Sequence, residues 1–231
     1  NFAEAHSNLG SILRSLGKLK EAELSLRKAV ELNPELAEAH VNLGSVLCDL
    51  ENLQEAELSL RKAIELNPNF AEAHYNLGVI LKNLCNLTDA EFYTRKAIEL
   101  NPSFAEAYSN LGGILSDLGN LHDAELAHRK AIKLNPNYAR AYYSLSTLNY
   151  SNDNKKWQDY LFSKIILNNK SKKDKVDIYF ARANILHKEK KYEDSSRFLL
   201  LANKLKLELK PSNSEKLINK SKILLVETNK N

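Results

Sequence analysis

Residues 3–36 read AEAHSNLGSILRSLGKLKEAELSLRKAVELNPEL, and this wording returns almost unchanged three more times. Pro34, Pro68, Pro102 and Pro136 fall 34 residues apart, each directly after an asparagine. A fixed period of this size marks stacked copies of one supersecondary unit, each too small to bury its own apolar face. The unit reads as two helices joined by a turn. In the first, Leu9, Ile12, Leu13 and Leu16 recur at helical spacing on one face. In the second, Leu24, Val30 and Leu32 are expected to seal the hairpin and dock the next copy.

Gly10, Gly44, Gly78 and Gly112 lie inside the first helix, where glycine costs about 1 kcal/mol relative to alanine. A cost met four times predicts a close helix approach, with Ala22, Ala56, Ala90 and Ala124 as the small residues opposite. The turn carries Gly17 and Gly119 in two copies, for a left-handed helix end. Glu51 and Cys85 replace them in the other two, which predicts turns that are strained or differently shaped. Glu23 with Arg27, Glu57 with Arg61, Glu91 with Arg95 and Glu125 with Arg129 are i,i+4 pairs, expected on a solvated outer face.

The Leu-Gly pair, the two alanines and the Asn-Pro beat resemble the tetratricopeptide repeat, over Ala3 to Tyr138. That resemblance implies an all-α fold, a right-handed superhelical solenoid of antiparallel helix hairpins whose first helices line a concave groove. Four regular units are assigned to 3–36, 37–70, 71–104 and 105–138. Residues 139–172 form a degenerate fifth unit with a basic loop. Ser146 stands there for the packing glycine, and Trp157 to Leu167 is expected as its second helix, with Phe162 and Ile165 inward. A loop over 168–175 leads to a sixth unit at 176–209. Ser212-Asn213-Ser214-Glu215 opens an expected capping helix at 212–226, and 227–231 an expected frayed tail. The opening at Asn1-Phe2 matches the end of a unit, which suggests a piece of a longer array.

Composition narrows the function classes. The 231 residues are 43% hydrophobic and 27% charged, an ordinary globular balance, with no apolar run near the roughly 18 residues of a membrane span. Two non-equivalent cysteines, Cys48 and Cys85, suit plain thiols in a reducing compartment. A soluble, cytoplasmic protein is the expectation. The formal charge of +4 is unevenly spread: residues 1–136 hold 13 basic and 19 acidic side chains, residues 137–231 hold 20 and 10.

One column in the first helix recurs in every regular unit: Asn8, Asn42, Asn76 and Asn110. Each amide offers two donors and an acceptor, so a row of them suits the backbone of an extended peptide. It equally suits bonds to the neighbouring helix. The row resembles the asparagine ladder of O-linked N-acetylglucosamine transferases, which implies a peptide-binding role. Neighbouring groove positions vary between units, and Ser11, Ser45, Tyr75, Tyr143, Arg14 and Lys82 complete the candidate binding set. The family's carboxylate clamp needs clustered cations, and Arg14 and Lys82 stand two units apart.

His6, His40 and His74 form a row that later units fill with Tyr108, Tyr142 and Tyr179. That interchange reads as packing, and neither a metal site nor a cofactor is expected. No catalytic motif is found. The expected function is a non-enzymatic scaffold that binds a protein or extended peptide. The alternative is the recruiting arm of a larger transferase, since similar bacterial arrays precede sulfotransferase-like or glycosyltransferase-like domains. A weaker alternative is a nucleic-acid adaptor acting through Lys170, Lys172, Lys173 and Lys175, disfavoured because arginine is scarce there. End-to-end self-association is also expected at the exposed apolar N-terminal unit.

Overall fold

The structure, a computed structural model, describes residues 2–148 and 156–209. They are helical, without a strand among them. The chain is an all-α solenoid of antiparallel helix hairpins, and it divides into two compact units.

The first unit holds α1 (Phe2–Ser15), α2 (Leu19–Leu32), α3 (Ala37–Asp49), α4 (Leu53–Leu66), α5 (Ala71–Asn83), α6 (Leu87–Leu100), α7 (Ala105–Asp117) and α8 (Leu121–Leu134). They pair as four hairpins, and α2, α4 and α6 each pack on the first helix of the next. The Asn-Pro beat has a structural cause. Proline forces the preceding residue out of the helical region, and Asn33, Asn67 and Asn101 turn extended with φ of −146°, −138° and −136°. Each then accepts, through Oδ1, the N–H two residues on, at 3.2 Å. This local turn satisfies a backbone donor that the ended helix no longer pairs.

The glycine column meets a different partner from the one its sequence suggests. A Cβ on Gly44 would lie 2.7 Å from Leu60 Cγ, and one on Gly112 2.7 Å from the His128 ring. Leu26 and Thr94 face Gly10 and Gly78 in the same way. The opposing residue therefore stands one turn beyond the alanine column. The alanines contribute their backbone instead: the carbonyls of Ala56 and Ala90 sit 3.2 Å from the missing Cβ of Gly44 and Gly78. The glycine admits both the facing side chain and the alanine backbone, and the two together set the hairpin spacing.

Leu24 does not seal the hairpin, being 70% exposed, and Leu32 is 46% exposed. Ala22, Leu26 and Ala29 form the inward i, i+4, i+7 face, and residue 24 lies across the helix from it. Val30 does pack on the core. In α1, Leu9, Ile12 and Leu16 are exposed, whereas Leu43, Val46, Leu77 and Ile80 of the same columns are buried. The difference is the preceding hairpin, whose second helix covers α3 and α5 but has no counterpart on α1 among the described residues.

All four turns share one shape. Glu51 and Cys85 take φ of 62° and 60°, beside 75° and 84° for Gly17 and Gly119. In each, the next N–H reaches back to the carbonyl five residues earlier, at 2.8–2.9 Å. Glu51 and Cys85 thus keep the glycine conformation at the cost of left-handed strain.

The second unit holds α9 (Ala139–Thr147), α10 (Lys156–Phe162), a 3-10 turn (Ile165–Leu167), α11 (Lys172–Lys188) and α12 (Tyr192–Leu209). The helix expected over 157–167 ends at Phe162. Leu161 and Ile166 are fully buried and Ile165 faces outward, while Phe162, partly exposed, packs edge-on against Phe198 at 6.5 Å. Arg182 explains the break: its Nε and Nη2 donate to the carbonyls of Leu161 and Ser163, both at 2.8 Å. The loop expected over 168–175 is shorter, because Ser171 caps α11 by accepting from Asp174 N–H at 3.1 Å. Lys172, Lys173 and Lys175 therefore lie on the first turn of a helix. The α11–α12 turn repeats the earlier shape, with Lys190 at φ 61°. The expected capping helix at 212–226 and tail at 227–231 lie outside the described residues. No helix among those described is long and apolar enough to cross a membrane.

Candidate functional site

Helical geometry puts residues 38, 42, 45 and 49 of α3 on one face, as i, i+4, i+7 and i+11. Residues 4, 8, 11 and 15 of α1, 72, 76, 79 and 83 of α5, and 106, 110, 113 and 117 of α7 are their equivalents. On this face a cleft of about 200 Å³ opens across α1, α3 and α5. Its walls include Arg14, Ser45, Cys48, Asp49, Tyr75 and Asn76. Four of the ten candidate residues, Arg14, Ser45, Tyr75 and Asn76, thus meet at one place.

The asparagine column is bonded, but to side chains and not to neighbouring backbone. Asn42 Nδ2 donates to Ser7 Oγ, Asn76 Nδ2 to Ser45 Oγ and Asn110 Nδ2 to Thr94 Oγ1, each at 3.0 Å. The first two bonds tie successive first helices together. They use one amide proton and leave the other proton and Oδ1 of Asn42 and Asn76 outside these bonds. Asn8 is exposed, and Ser11 is half-buried on the same face.

The two candidate cations are each held by the following hairpin. Arg14 Nε lies 2.6 Å from Asp49 Oδ2, and Lys82 Nζ lies 3.3 Å from Asp117 Oδ2. Gly113 makes room for Lys82, whose Nζ would lie 2.6 Å from a Cβ there. These aspartates neutralise the cations that a carboxylate clamp would need. Burial, with Asp49 adding to it, pushes the Cys48 thiol above its usual range, so it is a wall of the cleft and a poor nucleophile. Tyr75 packs at a tilt of 48° against Phe104, with ring centroids 4.8 Å apart.

Tyr143 belongs to the second unit, where it faces Phe180 at 6.1 Å and the Arg140 guanidinium at 5.5 Å. A bond like the asparagine bonds exists there at a position the column does not flag: Asn184 Nδ2 donates to Ser146 Oγ at 3.0 Å. It sits in the register of Ser11 and Ser45, five residues past Tyr179 of the histidine–tyrosine row. Only the nearness of α9 and α11 reveals it.

The histidine row is a packing device. His40 and His74 each set Nε2 2.8 Å from the carbonyl of the proline six residues earlier. Among the described residues, no three His, Cys, Asp or Glu side chains gather as a metal site. The outer ion pairs span 2.6–2.9 Å. The fourth departs from a solvated face, since the Glu125 and Arg129 side chains are only 5% and 18% exposed.

The repeat geometry is matched by family models. The TPR repeat model matches residues 10–48 and 44–84, and the tetratricopeptide repeat model matches 71–104 and 105–138. The chain belongs to the tetratricopeptide repeat proteins. No curated protein matches it. Among solved structures, this tetratricopeptide chain is similar to pilF of Pseudomonas aeruginosa, at 19% identity and TM-score 0.68, over 95% of this chain and 97% of that one. It is also similar to YrrB, described as a TPR protein with an unusual peptide-binding site, at 21% identity and TM-score 0.51, over 94% and 90%. The first TPR of Spaghetti (RPAP3), bound to an HSP90 peptide, aligns at 24% identity and TM-score 0.50, over 51% of this chain and 94% of that one. At these identities the likeness is one of fold.

Proposed function

We propose that this tetratricopeptide array is a non-enzymatic scaffold whose first-helix face in the first unit holds an extended protein segment. The observation that carries this is the cleft across α1, α3 and α5, where Asn76 keeps hydrogen-bonding capacity beside Tyr75 and Ser45. Two structural neighbours are described with bound peptide or a peptide-binding site, which supports a peptide ligand for this array. If the array serves as the recruiting arm of a larger transferase, this groove does the recruiting.

The peptide reading is preferred to the nucleic-acid reading. Part of the basic second unit is engaged internally: Lys172 pairs with Glu208 at 2.9 Å, Lys191 with Glu189 at 2.9 Å, and Lys188 donates to the Ser146 carbonyl at 2.8 Å.

Peptides selected from a random display library on the immobilised chain test the proposal. They are expected to shift the amide resonances of α3 and α5 and to lose roughly tenfold in affinity with Asn42→Ala plus Asn76→Ala, about 1.4 kcal/mol. Shifts confined to α4 and α6, with affinity unchanged in the folded double variant, overturn it.

A further inference from the structure

The groove face carries an uncompensated charge. Each regular first helix opens with a glutamate on the same face as its asparagine: Glu4, Glu38, Glu72 and Glu106. Glu38 and Glu72 are exposed and Glu106 is half-buried. Among the described residues, neither an ion pair nor a side-chain hydrogen bond engages Glu38, Glu72 or Glu106. The outer glutamates behave differently: Glu31, Glu65 and Glu99 pair with Lys28, Lys62 and Lys96 at 2.8–2.9 Å. The cations of the groove face do not offset the column, because Arg14 and Lys82 are matched by Asp49 and Asp117.

We infer that the groove selects a basic extended segment, with lysine or arginine recurring at about every third residue. The inference rests on the groove reading above and adds the ligand's chemistry to it. Packed helices lie about 8–10 Å apart, and the Asn42–Ser7 and Asn76–Ser45 bonds show that successive first helices are in contact. A chain in the extended polyproline-II conformation advances about 3.1 Å per residue and turns once in three, so three residues carry it from one glutamate to the next with the side chains on one face. The amides of Asn42 and Asn76 then meet its backbone while its cations reach the glutamate column. Charge of opposite sign across such a face steers encounter and excludes acidic competitors.

The probe is a fluorescent, roughly ten-residue peptide with lysine at every third position, beside its glutamate and serine counterparts, followed by anisotropy on the full chain at low and high salt. The lysine peptide is expected to bind, the glutamate peptide not, with affinity falling as salt rises. Glu38→Gln, Glu72→Gln and Glu106→Gln together should weaken it at least about tenfold. Glu31→Gln, Glu65→Gln and Glu99→Gln change the net charge equally on the outer face and should leave it within about twofold. Thermal melts of both variants establish that they are folded.

Equal losses in the two triple variants overturn the inference, since attraction would then follow total charge. Tighter binding of the serine or glutamate peptide, still sensitive to Asn42→Ala plus Asn76→Ala, overturns it while leaving the groove reading intact. Lysine-peptide binding that ignores both the asparagine pair and the groove glutamates overturns the two together.

Discussion

The two units solve the same packing problem by different means. In the first, a glycine in each first helix admits Leu26, Leu60, Thr94 or His128, and shape closes the hairpin. In the second, the equivalent places hold Ser146 and Ala183, and buried polar side chains join the helices, both within the α11–α12 hairpin and from α11 back to α9 and α10. Ser146 Oγ accepts from Asn184, Ser195 Oγ donates to the Ala183 carbonyl at 2.9 Å, and Arg182 reaches two carbonyls of the preceding segment. Arg182 occupies the column of Leu43, Leu77 and Leu111, and is 6% exposed. Its aliphatic stem takes the leucine's place while its guanidinium lies over Phe162 and Phe198, 5.8 and 5.4 Å from the ring centroids. A repeat can lose its consensus and remain a hairpin if each lost contact is replaced by a satisfied hydrogen bond.

The comparison is most exposed at Arg182. Arg182→Ala leaves the Leu161 and Ser163 carbonyls without this donor and opens a cavity. A loss of about 2–4 kcal/mol is expected, read as early melting of the second unit's amides in hydrogen exchange. If the whole chain melts together and unshifted, the polar anchor does not hold the unit.

Gly44→Ala probes the other side. Alanine favours a helix by about 1 kcal/mol, yet its Cβ would stand 2.7 Å from Leu60 Cγ. A net loss of about 1–2 kcal/mol in urea unfolding is expected, and Leu60→Ala in the same chain should recover part of it. A gain in stability would mean that the glycine column is not set by packing.

The smallest effect concerns what the units share. Cys85 and Lys190 adopt the same left-handed turn. Cys85→Gly and Lys190→Gly should each raise stability by about 0.5–1 kcal/mol. A gain in one unit only would show that the two turns carry unequal strain.

How far each region could be read ahead of the structure follows from its means of closure. Periodicity exposes the first unit because four copies average out local noise, so the hairpins, the turns and the asparagine column are legible at a 34-residue spacing. The partners of that column are not, since Ser7, Ser45 and Thr94 come from different places in the repeat. The Arg14–Asp49 pair spans neighbouring hairpins in the same way. In the second unit, Arg182 lies among apolar neighbours in the leucine column, but its charge reads as exposed, and its carbonyl partners at Leu161 and Ser163 come from another segment. Ser171 and Asp174 did carry a capping signal for the start of α11, hidden inside a polar run that reads as loop.

The amino-acid sequence alone determined the repeat, its period, its helical hairpins and the family to which they belong, because a unit of 34 residues must repeat its apolar face to be buried at all. Tertiary structure decided which side chain each glycine admits, which asparagine protons stay outside the inter-helix bonds, which cations are neutralised and which glutamates are not. Those outcomes depend on distances between residues some 16–38 positions apart, which the folded backbone sets and linear spacing does not record.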